Sequence, residues 1–172
     1  MSTLSFYPFH FALYYRDRNS FESELEIMSI SSRFAVGIHI LTLLEVNKDE
    51  VNSSEFIAAS VNTNPVVIRK IMGMLKKAEL VNVRPGVAGA ELARKLDEIT
   101  LLDVYKAVEA VPENELFSVH GNPNPQCTVG RNIQAAVLPI FAGAQAVMEK
   151  ALSHVTIEDI VQSIEEQDKQ IE

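Results

Sequence analysis

The stretch that decides the fold is Asn64–Ala78, NPVVIRKIMGMLKKA, together with residues 80–93 that follow it, LVNVRPGVAGAELA. In the first part, apolar residues recur at helical spacing. Asn64 is a favourable N-cap and Pro65 a favourable first helical residue, because proline lacks an N–H that would be unpaired there. The pattern predicts an amphipathic helix whose other face is cationic, carrying Arg69, Lys70, Lys76 and Lys77.

A hairpin is predicted directly after this helix. Leu80–Arg84 has the alternation of a strand, and Ala90–Ala93 can return as a second short strand. The loop between them, Pro85–Gly89, contains two glycines that can adopt a positive φ angle.

Two helices are predicted upstream of the cationic one. Ser31–Val46 carries a wide apolar stripe, and a short helix follows in which Asn52 and Glu55 stand at capping-box spacing. The order of short helix, turn, basic helix and hairpin is that of a winged helix-turn-helix. We therefore expect a mainly α fold: a winged helix-turn-helix with a two-stranded wing and a long C-terminal dimerisation helix.

The basic helix suggests a contact with double-stranded DNA. Its N-terminal dipole and outward side chains suit a major groove, and Arg84 in the wing can reach a minor groove or a phosphate. Winged helices also serve as protein-interaction modules, so a dimeric module without DNA binding is the alternative function. The candidate base-reading residues are Asn64, Val66, Val67, Arg69 and Lys70.

The charge distribution divides the chain. The net charge of −8 by itself argues against nucleic acid. Residues 28–96, however, carry nine basic against six acidic side chains, whereas residues 97–172 carry four against thirteen and residues 1–27 two against four. The mildly basic segment 28–96 and the acidic segment 97–172 indicate two surfaces with different partners.

A long C-terminal helix is predicted from apolar residues at spacings of 4, 3, 4, 3 and 4. A helix of about 25 residues would be roughly 37 Å long, with a kink or an offset start at Pro139. Its apolar surface exceeds what one small core can cover, so we expect the matching helix of a second copy to cover it. The predicted interface residues are Ile133, Val137, Ile140, Ala144, Val147 and Ala151.

The predicted organisation has five parts. Residues 1–27, rich in aromatic side chains without a clear period, form an extension that we expect to be disordered or to come from a misplaced start codon. Residues 28–110 form the DNA-binding domain, 111–126 a loop, 127–165 the dimerisation helices and 166–172 a frayed tail.

Several runs resemble the Rrf2 family of bacterial winged-helix transcriptional regulators. They are SISSRFAVGIHILTLL, NPVVIRKIMGMLKKAELV, RPGVAGAELA, ITLLDVYKAVE and CTVGRNIQAAVLPIF, and the likeness spans about residues 28–165. The resemblance implies a homodimer that binds a palindromic operator and usually represses, a chain that begins at Met28, and phosphate contacts at Ser53 and Ser54. The pair Gly89-Ala90 departs from the family's more usual glycine pair.

Cys127 is the single cysteine of the chain. Some family members hold an iron–sulfur cluster through three cysteines, and this sequence keeps only the position that resembles the last of them. His120, Glu113 and Glu115 are other possible ligands, but we expect no cofactor and no metal. A low-pKa thiol at a helix N-terminus favours redox sensing, and a merely tolerated cysteine is the alternative.

Motifs of enzymes are missing from the sequence: there is no Ser-His-Asp signature, nucleophile elbow, phosphate-cradling loop or paired-carboxylate motif. No run approaches the roughly 18 uninterrupted apolar residues of a membrane span, and the single cysteine suits a reducing compartment. We therefore expect a cytoplasmic regulator that is not an enzyme, with DNA and a second copy as partners, no membrane, and any small-molecule effector unidentified.

Overall fold

The computed structural model describes residues 30–83, 89–108, 117 and 119–171. Its helices and strands are α1 (Ile30–Val46), α2 (Ser54–Val61), α3 (Pro65–Lys77), β1 (Val81–Val83), β2 (Ala90–Leu92), α4 (Leu101–Ala107), α5 (Thr128–Leu152) and α6 (Ile157–Asp168), with a 3₁₀ turn at Leu96–Glu98.

The winged helix-turn-helix is confirmed. Helices α2 and α3 pack against each other, and both contact α1. Strands β1 and β2 pair antiparallel, with Val81 opposite Leu92 and Val83 opposite Ala90. This short hairpin follows α3 directly, so the wing lies beside the predicted recognition helix. The predicted fold class is therefore correct.

One apolar core holds these elements together. Its fully buried side chains come from helices α1 to α4 and α6, strand β1 and residues next to these elements. They include Ile40, Leu41, Ile57, Ile68, Ile71, Leu75, Leu80, Val81, Ile99, Val104, Val108 and Ile157. Helices α1 and α4 approach closely at Gly37, where an added Cβ would lie 3.0 Å from Val104 and 3.1 Å from Val108. Glycine at this position therefore permits the close packing.

Side chains cap most of the helices. Asn64 accepts from the backbone N–H of Val66, and Thr100 and Thr156 each form a full capping box. The predicted capping role of Asn52 is wrong. Ser53 caps α2 by accepting from the backbone N–H of Phe56, while the buried Asn52 donates to the carbonyl of Asn47 and so ties the α1–α2 turn.

The last helix packs on the winged helix of its own chain. It packs against α1 and the 3₁₀ turn, and it buries Ile157 and Val161 in the core. Its assignment to the dimerisation helices stays a prediction. Helix α6 also extends to Asp168, beyond the predicted end at residue 165. Its apolar side faces α1, as expected of an amphipathic helix that packs on a core.

Helix α5 carries four large apolar side chains that are exposed: Val129, Leu138, Ile140 and Val147. It runs for 25 residues through Pro139 without ending there, and it contacts α4. Gln145 is its buried residue. Of the described helices, it is the one long and apolar enough to cross a membrane by length and composition.

Candidate nucleic-acid interface

The outward face of α3 is cationic. Helical spacing turns Val67, Ile68, Ile71, Met72 and Leu75 into the core. On the opposite side of the helix, Arg69, Gly73 and Lys76 follow one another along the axis, and Lys77 lies beside them. All four residues are exposed. Lys76 also donates to the carbonyl of Val83 across 3.4 Å, which joins this face to the wing.

The predicted base-reading residues divide into three groups. Arg69 is exposed and Lys70 half-buried, and both lie on the outward side of α3. Asn64 and Val66 are half-buried at its first turn, where the Asn64 side chain already serves as the N-cap at 2.8 Å. The expectation for Val67 is wrong: its side chain is 4 % exposed, because it continues the buried row through Ile71 and Leu75.

Arg84, the predicted wing contact, lies outside the described residues. On the described side of the wing, Gly89 has a φ of +121°, a backbone conformation that side chains disfavour. A Cβ there would lie 3.7 Å from the backbone nitrogen of Asn52. That distance is an ordinary van der Waals contact, so glycine is favoured at this position by its φ angle rather than by lack of space.

The structure brings Ser54 and Arg69 together. Arg69 Nη1 donates to Ser54 Oγ at 3.2 Å and to Glu55 Oε1 at 3.0 Å, and the Arg69–Glu55 pair is a solvent-exposed ion pair. The pKa of the Glu55 carboxyl lies below its ordinary value, first through a hydrogen bond from its own backbone N–H and then through those from Arg69 and Ser54. Sequence analysis missed this role of Glu55, since a separation of 14 residues carries no periodic signal.

A cavity of about 380 Å³ opens beside this cluster, between the start of α2, the outward face of α3 and the wing. The cavity is lined by Ser53, Ser54, Arg69 and Lys76, among others. The side-chain oxygen of Asn52, a further lining residue, is buried without a hydrogen-bond partner. Hydroxyl groups, cations and the N-terminus of α2 therefore share one concave surface, a combination that suits phosphate oxygens.

Cys127 lies at the N-cap position of α5 and is exposed. The backbone N–H groups of Gly130 and Val129 lower the pKa of its thiol, because they stabilise the thiolate. Gly130 also has a steric role: an added Cβ would overlap the carbonyl oxygen of Asn124. The preceding loop is thereby packed tightly onto the first turn of α5.

The predicted dimerisation residues all lie on α5, and most of them face solvent in the single chain. Ile140 is 67 % exposed and Val147 71 %, while Ala144 and Ala151 are also exposed. Ile133 and Val137, nearer the start of the helix, are half-buried. The described chain therefore presents an apolar row without a cover of its own.

Comparison with known proteins agrees with this geometry. The Rrf2 family model, described as an iron-dependent transcriptional regulator, matches residues 30–163. The chain is 48 % identical over 132 residues to YwnA of Bacillus subtilis (strain 168), described by name as an HTH-type transcriptional regulator; the match covers 77 % of this chain and 96 % of YwnA.

Two crystal structures share the fold. One, described as a DNA-binding protein, is 43 % identical with a TM-score of 0.61, and the match covers 75 % of this chain and 98 % of that chain. The other, a transcriptional regulator from Lactobacillus plantarum, has a TM-score of 0.65 at 20 % identity, with 81 % and 98 % covered, and supports the fold alone.

An iron–sulfur cluster does not fit the cysteine content of this chain. An iron–sulfur cluster is held mainly by several thiolates, and the sequence contains one cysteine. The described residues contain no group of three or more His, Cys, Asp and Glu side chains able to hold a metal ion. His120 is exposed, and Glu113 and Glu115 lie outside the described part of the chain.

Proposed function

Because the chain belongs to the Rrf2 family of transcriptional regulators, which are not enzymes, we propose that it acts as a homodimeric repressor on a palindromic operator. The α3 helix enters the major groove, and the start of α2 lies against the phosphate backbone. Such a regulator acts on chromosomal DNA, so we place it in the cytoplasm.

The cationic outward face of α3 beside the wing is the observation that carries this proposal. Arg69, Lys76 and Lys77 are exposed on it, although the chain as a whole has a net charge of −8. Local charge matters more than net charge here, because exposed charges more than about 10 Å apart are largely screened at 0.1 M salt. Phosphates close to this face would meet the cations rather than the acidic C-terminal half.

Dimerisation through α5 explains the exposed apolar row. A second copy of α5 would cover Ile140 and Val147, and a two-fold axis between the two copies would present two α3 helices to consecutive major grooves. A membrane is the competing cover for a helix of this composition. A liposome flotation assay distinguishes the two, and we expect the protein to stay with the soluble fraction as a dimer.

The test of DNA recognition uses a duplex enriched from a random library by the wild-type protein. Arg69→Ala is expected to weaken binding by about 1–3 kcal/mol, the usual effect of losing a base-contacting arginine. Lys169→Ala, which removes one positive charge beyond the end of α6, is the control. Failure to enrich any duplex, while the protein remains dimeric, would favour the interaction module without DNA binding.

A redox response through Cys127 is a second, narrower proposal. Its exposure and the lowered pKa of its thiol favour attack on peroxide or hypochlorite at neutral pH. The oxidised side chain would stand at the first turn of α5, where the loop from Asn124 packs on Gly130. A Cys127→Ser protein that still releases DNA under oxidant would disprove this role.

A further inference from the structure

Glu55 is the acidic member of an otherwise cationic and hydroxyl-lined surface. Its Oε1 lies 3.0 Å from Arg69 Nη1, and Ser54 Oγ donates to its other carboxylate oxygen at 3.3 Å. Its own backbone N–H, in the first turn of α2, also bonds the carboxylate. These are the donors that a phosphate at the start of a helix would use.

The pair leaves the hydrogen-bonding capacity of Arg69 only partly used. Nη1 is shared between Ser54 and Glu55, whereas a guanidinium has five N–H donors. Among the described residues, Nε and Nη2 have no hydrogen-bond partner, and these donors can still contact a guanine edge. The positive charge, by contrast, is neutralised locally, which weakens its attraction for phosphates of any sequence.

We propose that Glu55 is a specificity-determining residue. Its carboxylate pairs with Arg69 where a DNA phosphate would otherwise pair, and this suppresses sequence-independent binding. Arg69 is still able to read bases. This inference rests on the proposed function. A role in folding stability does not explain the Glu55–Arg69 pair, because exposed ion pairs contribute little to the free energy of unfolding. Glu55→Gln keeps the shape and most hydrogen bonds but removes the charge.

The experiment compares an enriched duplex with a scrambled duplex of the same composition, by fluorescence anisotropy over a range of salt concentrations. Glu55→Gln is expected to bind the scrambled duplex about three- to tenfold more tightly at 0.1 M salt. The preference for the enriched duplex should fall. The salt slope should become steeper by about one per protomer, since Arg69 becomes free to pair with a phosphate.

Two further variants make the result specific. Glu166→Gln makes the same chemical change on the exposed side of α6 and is expected to leave both affinities within about twofold. In an Arg69→Ala background, Glu55→Gln should raise the affinity for the scrambled duplex less than it does in the wild type. The reason is that the arginine freed by the Glu55 substitution is absent from this background. Thermal unfolding of every variant checks the fold.

Either of two results would overturn the inference: a Glu55→Gln protein that binds the scrambled duplex no better than Glu166→Gln does, or an undiminished gain without Arg69. If the wild type and all variants bind neither duplex, the proposed function and this inference both fail. If the wild type prefers the enriched duplex and Glu55→Gln keeps that preference, only the inference fails.

Discussion

The backbone N–H of Leu101 donates to the carbonyl oxygen of Val155 across 2.8 Å, and this bond joins the start of α4 to the segment that follows the long helix. Two residues further on, Ile157 donates to Ile99 at 2.9 Å. The segment between α5 and α6 is therefore held on the winged helix. These two hydrogen bonds fix the position of the chain that follows α5 relative to the start of α4.

The first prediction concerns the docking of α6. Ile157→Ala removes a fully buried side chain from the core and is expected to destabilise the protein by about 2–5 kcal/mol. Ile164→Ala, in the same helix but exposed, should cost far less. Urea unfolding measures both at one fixed protein concentration, because the proposed dimerisation would make stability concentration-dependent. Equal losses would mean that α6 does not pack on the core in solution.

The second prediction concerns the apolar row of α5. Ile140→Glu places a charge where we expect the partner helix and should convert the dimer to a monomer, since an unpaired buried charge costs several kcal/mol. Ala142→Glu is the control: at about 100° per residue it lies roughly 200° around the helix. Sedimentation velocity measures the mass. A dimer that survives Ile140→Glu would place the interface elsewhere.

The third prediction compares two glycines in helices. At Gly73 an added Cβ meets nothing within 4 Å, so Gly73→Ala should raise stability by about 0.5–1 kcal/mol through its helix propensity. At Gly37 the same change forces a methyl group against Val104 and Val108, so the protein should lose stability. Thermal melts at matched concentration compare the two variants. If Gly73→Ala destabilised the protein, the face of α3 around Gly73 would have to be covered in the assembled protein.

The fourth prediction concerns the pKa of Cys127. Backbone N–H groups at the start of α5 stabilise the thiolate, so the folded pKa lies below that of the unfolded chain. Iodoacetamide should therefore reach half its maximal rate at a lower pH in the native protein than in urea. The same ordering means that any stability contributed by the thiolate is lost as the pH falls through the folded pKa. Identical midpoints in both states would remove the electrostatic basis for a redox role.

Residue patterns predicted the local elements well, because helical periodicity and capping chemistry are properties of a few neighbouring residues. The helix after Asn64, the hairpin that follows it and the 25-residue helix after Cys127 all lie where the sequence indicates. The errors occur where two neighbouring residues could each take the same structural role. Ser53 rather than Asn52 caps α2, and the row from Val67 to Leu75 turns Val67 inward.

The sequence by itself determined the winged-helix order, the cationic side of α3 and the apolar row of α5, since each depends on spacing within one segment. Only the tertiary structure decided that α6 returns to α1, that Gly89 passes beside Asn52, and that Glu55 pairs with Arg69. These contacts join residues far apart in the chain. Their geometry depends on how whole helices pack, and packing angles and distances leave no period in the sequence.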